Sequence, residues 1–398
     1  MLGELRVASL LTRIHVKNYR SLVDVEANLQ PVNILFGPNG AGKSSLLDTL
    51  WFLHGCGAQG TATTAAERDH GIGLLWDGAP DHATISIQVS TDAARYELEL
   101  GFLSGRIDPL PGEQLYSVRR HQSLIERRVG SDQVSFFHAA MNESPMFTLR
   151  EPERTSFLRY LDSQPNVAEV SDLNNLIRFT HFYHFRSMKL SALRKFGSES
   201  GSETWLMNLG ENLWSVLRNL QGRRAVDDRY ETIMRYMVRS FPGFVDLVLD
   251  APSPATVYGS LMEKGLKQPI RASGVSDGHL QMLLLLTSLF AEGRSRPSLI
   301  LLDEPELSLH PWSLAVLAEA IDEAAANWQR QVLASTHSPV LLSQFDASQI
   351  LAVEPGTHGT RIRRLSEITE VKDLLEQYSP GSLYMSELVG RQAAGVEA

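Results

Sequence analysis

Cysteine is almost missing from this chain: Cys56 is the only one in 398 residues. No disulfide can form within it, thiolate ligation of zinc finds no support, and a reducing, cytoplasmic setting is expected. Long apolar runs are also missing. The longest, Leu280–Phe290, is too short to span a bilayer. The first residues interleave Glu4, Arg6 and Arg13 with apolar ones, which is not the layout of a signal peptide. No membrane contact is expected. An excess of positive charge is lacking as well. With a net charge of −9, any contact with DNA has to be local. One acid-free stretch, 178–195, gathers Arg178, Arg186, Lys189, Arg194 and Lys195 with two histidines. A solvated face is the plainer reading of it, and contact with nucleic acid or an acidic partner the sharper one. Fixed-period repeats, low-complexity tracts and sustained heptads are not found.

What is present is ordinary globular material, 43% apolar and 21% charged. It suits two or three domains, or one large α/β domain carrying an insertion. Strand-like alternation covers 13–18 and 23–27, and the apolar run Val32–Phe36 ends at Gly37. Helical spacing follows over 46–53. Residues 84 to about 138 read as short antiparallel strands. Helices are predicted at 149–163 and 167–179, a buried strand at 180–185, and a helical insertion at 203–240 behind a flexible GSESGS stretch, 197–202. Strand 245–249 and a hairpin through Lys264 and Gly265 come next. Then strand 298–302, helix 312–327 and strand 332–335 alternate, which argues for a parallel sheet buried on both faces. The organisation expected is an N-terminal lobe over 1–180 with the glycine loop and an antiparallel β subdomain, a mainly helical insertion over 181–260, and a C-terminal lobe over 261–398.

Gly37-Pro38-Asn39-Gly40-Ala41-Gly42-Lys43-Ser44 fits the pattern G-x-x-x-x-G-K-[ST], with a strand before it and a helix after it. Glycines let the backbone wrap close to phosphate oxygens, so that successive N–H groups point inward. The positive end of the following helix faces the same anions. Lys43 would reach the β- and γ-phosphates, and the Ser44 hydroxyl would ligate Mg²⁺. Ser45 follows in the same first turn.

Far along the chain, Leu299–Leu302 is an apolar strand that ends in Asp303 and Glu304. Asp303 at the tip can hold Mg²⁺ through water, and Glu304 can orient or deprotonate the attacking water. Ser276-Asp277-Gly278 lies 25 residues before these acids, at the start of an apolar helix. It is either plain capping or a second anion site donated across a dimer. His337, after strand 332–335, is placed near the γ-phosphate if that strand adjoins the one ending in Asp303. There it can donate a hydrogen bond and report the nucleotide state.

This ordered set resembles that of the ABC-type ATPases of the RecF, SMC and OLD (overcoming-lysogenisation-defect) kind, over roughly 10–55 and 265–355. The residues that carry the likeness are IHVKNYRSLVDV, GPNGAGKSSLLDTL, VSDGHLQ, LLDEPELSLHP and STHSP. The resemblance implies an α/β P-loop fold of the ABC type, a mixed sheet with a parallel core, with ATP and Mg²⁺ as cofactors. It makes these segments Walker A, signature, Walker B with a D-loop at Leu307–His310, and H-loop. It brings Arg20 and Ser21 to the nucleotide, and a homodimer or higher homo-oligomer in which one protomer's signature completes the other's site. A Q-loop glutamine has no evident counterpart; the neighbourhood of His184–Arg186 is the candidate. About 230 residues separate Ser44 from Ser276 without a heptad tract, so long coiled-coil arms are not expected. No D-x-D pair follows Asp303 and about 60 residues follow His337, so no Toprim nuclease domain is expected. Such compact forms resemble ATPase subunits of anti-phage defence systems that work with a separate effector protein, a nuclease being one such effector. A RecF-like role in DNA repair is the alternative. A transporter subunit fits less well, since Ser276-Asp277-Gly278-His279 replaces LSGGQ and the D-loop reads Leu-Ser-Leu-His.

Overall fold

Alternate residues of four neighbouring strands belong to two different hydrophobic cores, and this organises the molecule. The computed structural model describes residues 10–68, 71–80, 82–104, 106–138, 142–150, 168–356, 359–386 and 388–389. Its six-stranded sheet runs in the order β10 (Thr180–His184), β15 (Ser298–Asp303), β16 (Arg330–Thr336), β3 (Val32–Phe36), β17 (Ile350–Gly356), β18 (Gly359–Arg364). All neighbours in it are parallel except β17 and β18. Ile34, Ile300, Leu302, Val332 and Ala334 point into one core; Leu35, Leu299, Leu301, Leu333 and Leu351 point into the other. That period of two, buried on both faces, is the signature of a parallel sheet sandwiched between layers. The ends of the chain do meet in one sheet: β3, from the first forty residues, pairs with β16 and β17.

One face is covered by helices α1 (Lys43–Gln59), α2 (Thr61–Ala66) and α3 (Ala168–Arg178) and by an antiparallel sheet. That sheet runs β2 (Leu22–Asn28), β1 (Arg13–Tyr19), β4 (Ile85–Ser90), β5 (Ala94–Ser104), β6 (Ile107–Ser117), β7 (Gln122–Arg127), β8 (Gln133–Phe136), β9 (Met146–Thr148). The other face carries α4 (Leu190–Phe196), α5 (Leu213–Gln221), α6 (Arg229–Ser240), α7 (Asp277–Phe290), α8 (Pro311–Asn327) and α9 (Pro339–Leu342). A small sheet of β11 (Ser198–Glu199), β12 (Phe244–Ser253), β13 (Thr256–Glu263) and β14 (Ile270–Arg271) joins them. In α7 every residue from Leu280 to Phe290 is buried, as expected of a helix that is apolar all round.

One expectation changes. The GSESGS stretch is not a free hinge: Ser198 pairs with Val257 in β11. Ser200 N–H donates to Ala255 C=O at 2.9 Å and Gly201 N–H to Ser215 Oγ at 2.9 Å. Small polar side chains there serve packing against β13 and α5, which composition alone reads as flexibility. The helix expected over 149–163 falls almost wholly outside the described residues. Among the described residues, no helix is long and apolar enough to cross a membrane.

Candidate nucleotide site

The parallel strands bring their carboxyl ends to one edge, where ligands of open α/β sheets bind. In register, His184 lies opposite Asp303, Asp303 opposite Ser335, and Ser335 opposite Leu35, two residues before Gly37. The glycine loop leaves β3 at this edge and turns into α1. Gly42 has φ 108°, and a Cβ there would stand 2.3 Å from Thr360 Oγ1, so both backbone and space demand glycine. Helix α1 opens without a side-chain cap, leaving the N–H groups of its first turn for an anion. Thr360 Oγ1 donates to Ala41 C=O at 2.8 Å, fixing the loop from β18.

Lys43 is 5% exposed. Its Nζ donates to the carbonyls of Gly37 and Pro38 at 2.8 and 2.9 Å. Burial pulls its pKa down to about 8 despite the nearby carboxylates Asp303, Glu304 and Glu306. Ser44 Oγ donates to both oxygens of Asp303, at 3.1 and 3.2 Å. Asp303 is also bonded by Ser335 Oγ and, at 2.8 Å, by His184 Nδ1. The residue after it, Glu304, has a left-handed backbone, φ 53°, held by its N–H on Ser335 C=O and Oγ. Its carboxylate takes a bond from Arg186 Nε. His337 N–H donates to Glu306 Oε1 at 2.7 Å. Burial first, then the Lys43 cation, lowers the His337 pKa, which favours a neutral ring.

These groups surround a cavity of about 580 Å³. Asn39, Gly40, Gly42, Lys43, Ser44 and Ser45 line its floor, and Asp303, Glu304, Ser335 and His337 one wall. Arg20 and Ser21 reach it from the turn after β1. Arg20, at φ 50°, pairs with Asp48 of α1 at 3.1 Å, and Ser21 Oγ accepts from Thr360 Oγ1 at 3.2 Å. Asp48 also takes bonds from Tyr19 Oη and Arg68, so Arg20 hangs from a buried network. Gly37 and Ala41 shape the loop without lining the cavity.

Ser276, Asp277 and Gly278 do not line this cavity. Ser276 caps α7, its Oγ 2.6 Å from His279 Nδ1. Asp277 pairs with Arg194. Gly278 lies under the D-loop, where a Cβ would meet Ser308 C=O at 2.8 Å. Signature and D-loop thus form one surface, apart from the chain's own glycine loop.

Two cations of the basic strip are engaged within the chain. Arg186 engages Glu304, and Arg194 engages Asp277 and the Val275 carbonyl. The stretch lacks acids in sequence because its acids arrive from the Walker B and signature segments. Sequence reasoning also missed the wall at Gly73, Leu75, Trp76 and Asp77, which no motif marks. His184 sits in the neighbourhood suggested for the Q-loop, and its contact with Asp303 was not foreseen.

The sheet order, the glycine loop and the acid-tipped strand β15, one strand removed from β3, define a P-loop ATPase of the ABC type, of the RecF, SMC and OLD kind. The family described as "AAA domain, putative AbiEii toxin, Type IV TA system" matches residues 32–343, and the chain belongs to it. An OLD nuclease of Thermus scotoductus is 21% identical over 361 residues, covering 86% of this chain and 62% of that protein. The DNA replication and repair protein RecF of Bacteroides fragilis is 44% identical over 81 residues, 18% of this chain and 22% of RecF. The chain thus spans less than two thirds of either relative. Two solved structures share the fold at 13% identity. An Smc head bound to the C-winged helix domain of ScpA has a TM-score of 0.52, covering 89% of this chain and 97% of that one. An Smc head with an extended coiled coil, bound to the C-terminal domain of ScpA derived from Pyrococcus furiosus, scores 0.51 and covers 92% and 99%.

Proposed function

We propose that this chain binds ATP with Mg²⁺, hydrolyses it, and closes on a second copy of itself around the nucleotide, working in anti-phage defence with a separate effector protein. The observation that carries the chemistry is the bond from Ser44 Oγ to Asp303, 259 positions apart in sequence. Among the described residues no group of three or more His, Cys, Asp or Glu makes a metal cage. Ser44 and Asp303 are two hard oxygen donors, the set that shares Mg²⁺ with phosphate. Bound there, Mg²⁺ would neutralise charge on the β- and γ-phosphate oxygens.

The chain's own groups supply the rest. Lys43 exchanges the Gly37 and Pro38 carbonyls for phosphate oxygens. N–H groups of the glycine loop hold the same anions. Glu304, once free of Arg186, orients the water that attacks the γ-phosphate, and His337 donates a hydrogen bond to that phosphate. Ser276 and Gly278, which do not line the chain's own cavity, donate hydrogen bonds to a partner's γ-phosphate. The defence role rests on the resemblance of the ordered motifs, in a compact chain, to ATPase subunits of defence systems. The effector, acting from another polypeptide, would read whether the two copies are closed.

The deciding experiment is sedimentation and phosphate release by the purified chain. Mg²⁺-dependent turnover, and a dimer that forms with ATP and disperses after hydrolysis, is the expected result. A chain that stays monomeric with ATP, even as Glu304→Gln, would sink the closure mechanism. The defence role is tested by plaque counts on cells carrying the chain with its neighbouring genes. Protection should vanish with Lys43→Ala.

A further inference from the structure

One wall of the cavity has no part in phosphate chemistry. It is formed by residues 73–77, of which Leu75, Trp76 and Asp77 line the same space as Lys43 and Ser44. Trp76 is half-buried and is the one Trp, Tyr or Phe among the described lining residues. Its indole lies down on Gly78, where a Cβ would stand 2.4 Å from the ring's benzo carbons. The main chain beneath is tied to β1. Trp76 N–H donates to Asn18 C=O at 2.9 Å, Arg20 N–H donates to Leu74 C=O at 2.7 Å, and Tyr19 bridges Leu75. The turn that delivers Arg20 to the cavity therefore also fixes the main chain that carries the indole, and the ring is held by its packing on Gly78 and on the core beneath. A ring set in place before binding loses little freedom when a ligand stacks on it.

We propose that Trp76 is the platform for the nucleobase and sets a preference for purine over pyrimidine triphosphates. The proposal rests on the nucleotide-binding reading above and adds the part of the ligand that reading leaves unassigned. An aromatic side chain stacks on any base, but the gain follows overlapped ring surface, and a purine offers two rings to a pyrimidine's one.

The test is a set of dissociation constants for ATP, GTP, CTP and inorganic tripolyphosphate, measured on the 398-residue chain. Trp76→Ala should weaken ATP and GTP by about ten- to a hundredfold, leave tripolyphosphate within about twofold, and erase the preference over CTP. Trp76→Phe should recover most of the loss. Gly78→Ala, which pushes the ring aside without removing it, should reproduce part of the loss, and it carries the test if Trp76→Ala does not fold. Unchanged ATP affinity in a folded Trp76→Ala or Gly78→Ala chain overturns the proposal. So does an equal loss of tripolyphosphate, which would place the damage on the phosphate side. A wild-type chain that binds no triphosphate at all would instead remove the nucleotide-site reading, a result distinct from both.

Discussion

Arg186 is joined to Glu304, which lines the cavity: the guanidinium on the turn after β10 donates to the carboxylate that follows Asp303. In this arrangement the candidate water-orienting group is held by a cation from its own chain.

The pair predicts opposite effects from its two ends. Arg186 is largely exposed, with 62% of its side chain accessible, so the latch is weak. Arg186→Ala should raise basal turnover by about two- to fivefold. Glu304→Gln should keep ATP binding and lower turnover by at least about a hundredfold, the scale of a lost positioned base. Steady-state phosphate release decides both. A tenfold fall in Arg186→Ala would make the arginine part of the working site.

Lys43 predicts a pH dependence. Burial holds its pKa at about 8 in the free chain, whereas phosphates at the same place favour the charged amine. Below pH 8 the lysine is already charged and binding takes up no proton at this group. Above pH 8 binding must protonate it, so affinity for ATP should fall by up to about tenfold per pH unit. Calorimetry at pH 8.5 in buffers of different ionisation enthalpy should show about three quarters of a proton taken up. No uptake would mean that the free lysine keeps its ordinary pKa. Lys43→Ala should abolish measurable binding at any pH.

The separation of Ser276 from the cavity predicts complementation. Ser276→Arg should fold and bind ATP as a monomer, yet neither close nor hydrolyse. Mixed with Lys43→Ala, it forms heterodimers with one doubly damaged site and one intact site, so part of the activity should return. Hydrolysis by Ser276→Arg alone, at concentrations where only monomers exist, would rule out a shared site.

Much of this was legible in the sequence because the nucleotide motifs are local: Gly37–Ser44, Asp303 with Glu304, and His337 each lie within a few residues. The succession of strand, helix and strand over 298–335 likewise announced the doubly buried parallel sheet. What stayed hidden depends on register between distant strands. His184 meets Asp303 because β10 pairs with β15, and no spacing within 180–195 shows that pairing. Arg186 and Arg194 read as a free basic surface because their acids lie more than eighty positions away. Trp76 belongs to no periodic element; its segment is brought to the cavity by backbone ties to β1 and the turn after it. The GSESGS stretch shows the opposite error, since a composition typical of linkers can also fill the tight spaces of a short edge strand.

The insertion of β3 between β16 and β17 has a consequence for how a newly made chain acquires its activity. The lysine and serine of the glycine loop leave the ribosome early, but their carboxylate partner is encoded 259 residues later. At ordinary elongation rates that interval is on the order of ten seconds to a minute. Throughout it, the apolar strand 32–36 has no neighbour in its own sheet, and ATP has no complete site to stabilise. Nucleotide can therefore act as a folding ligand only after the C-terminal strands have threaded in on either side, which makes the nascent first lobe a natural client for chaperones.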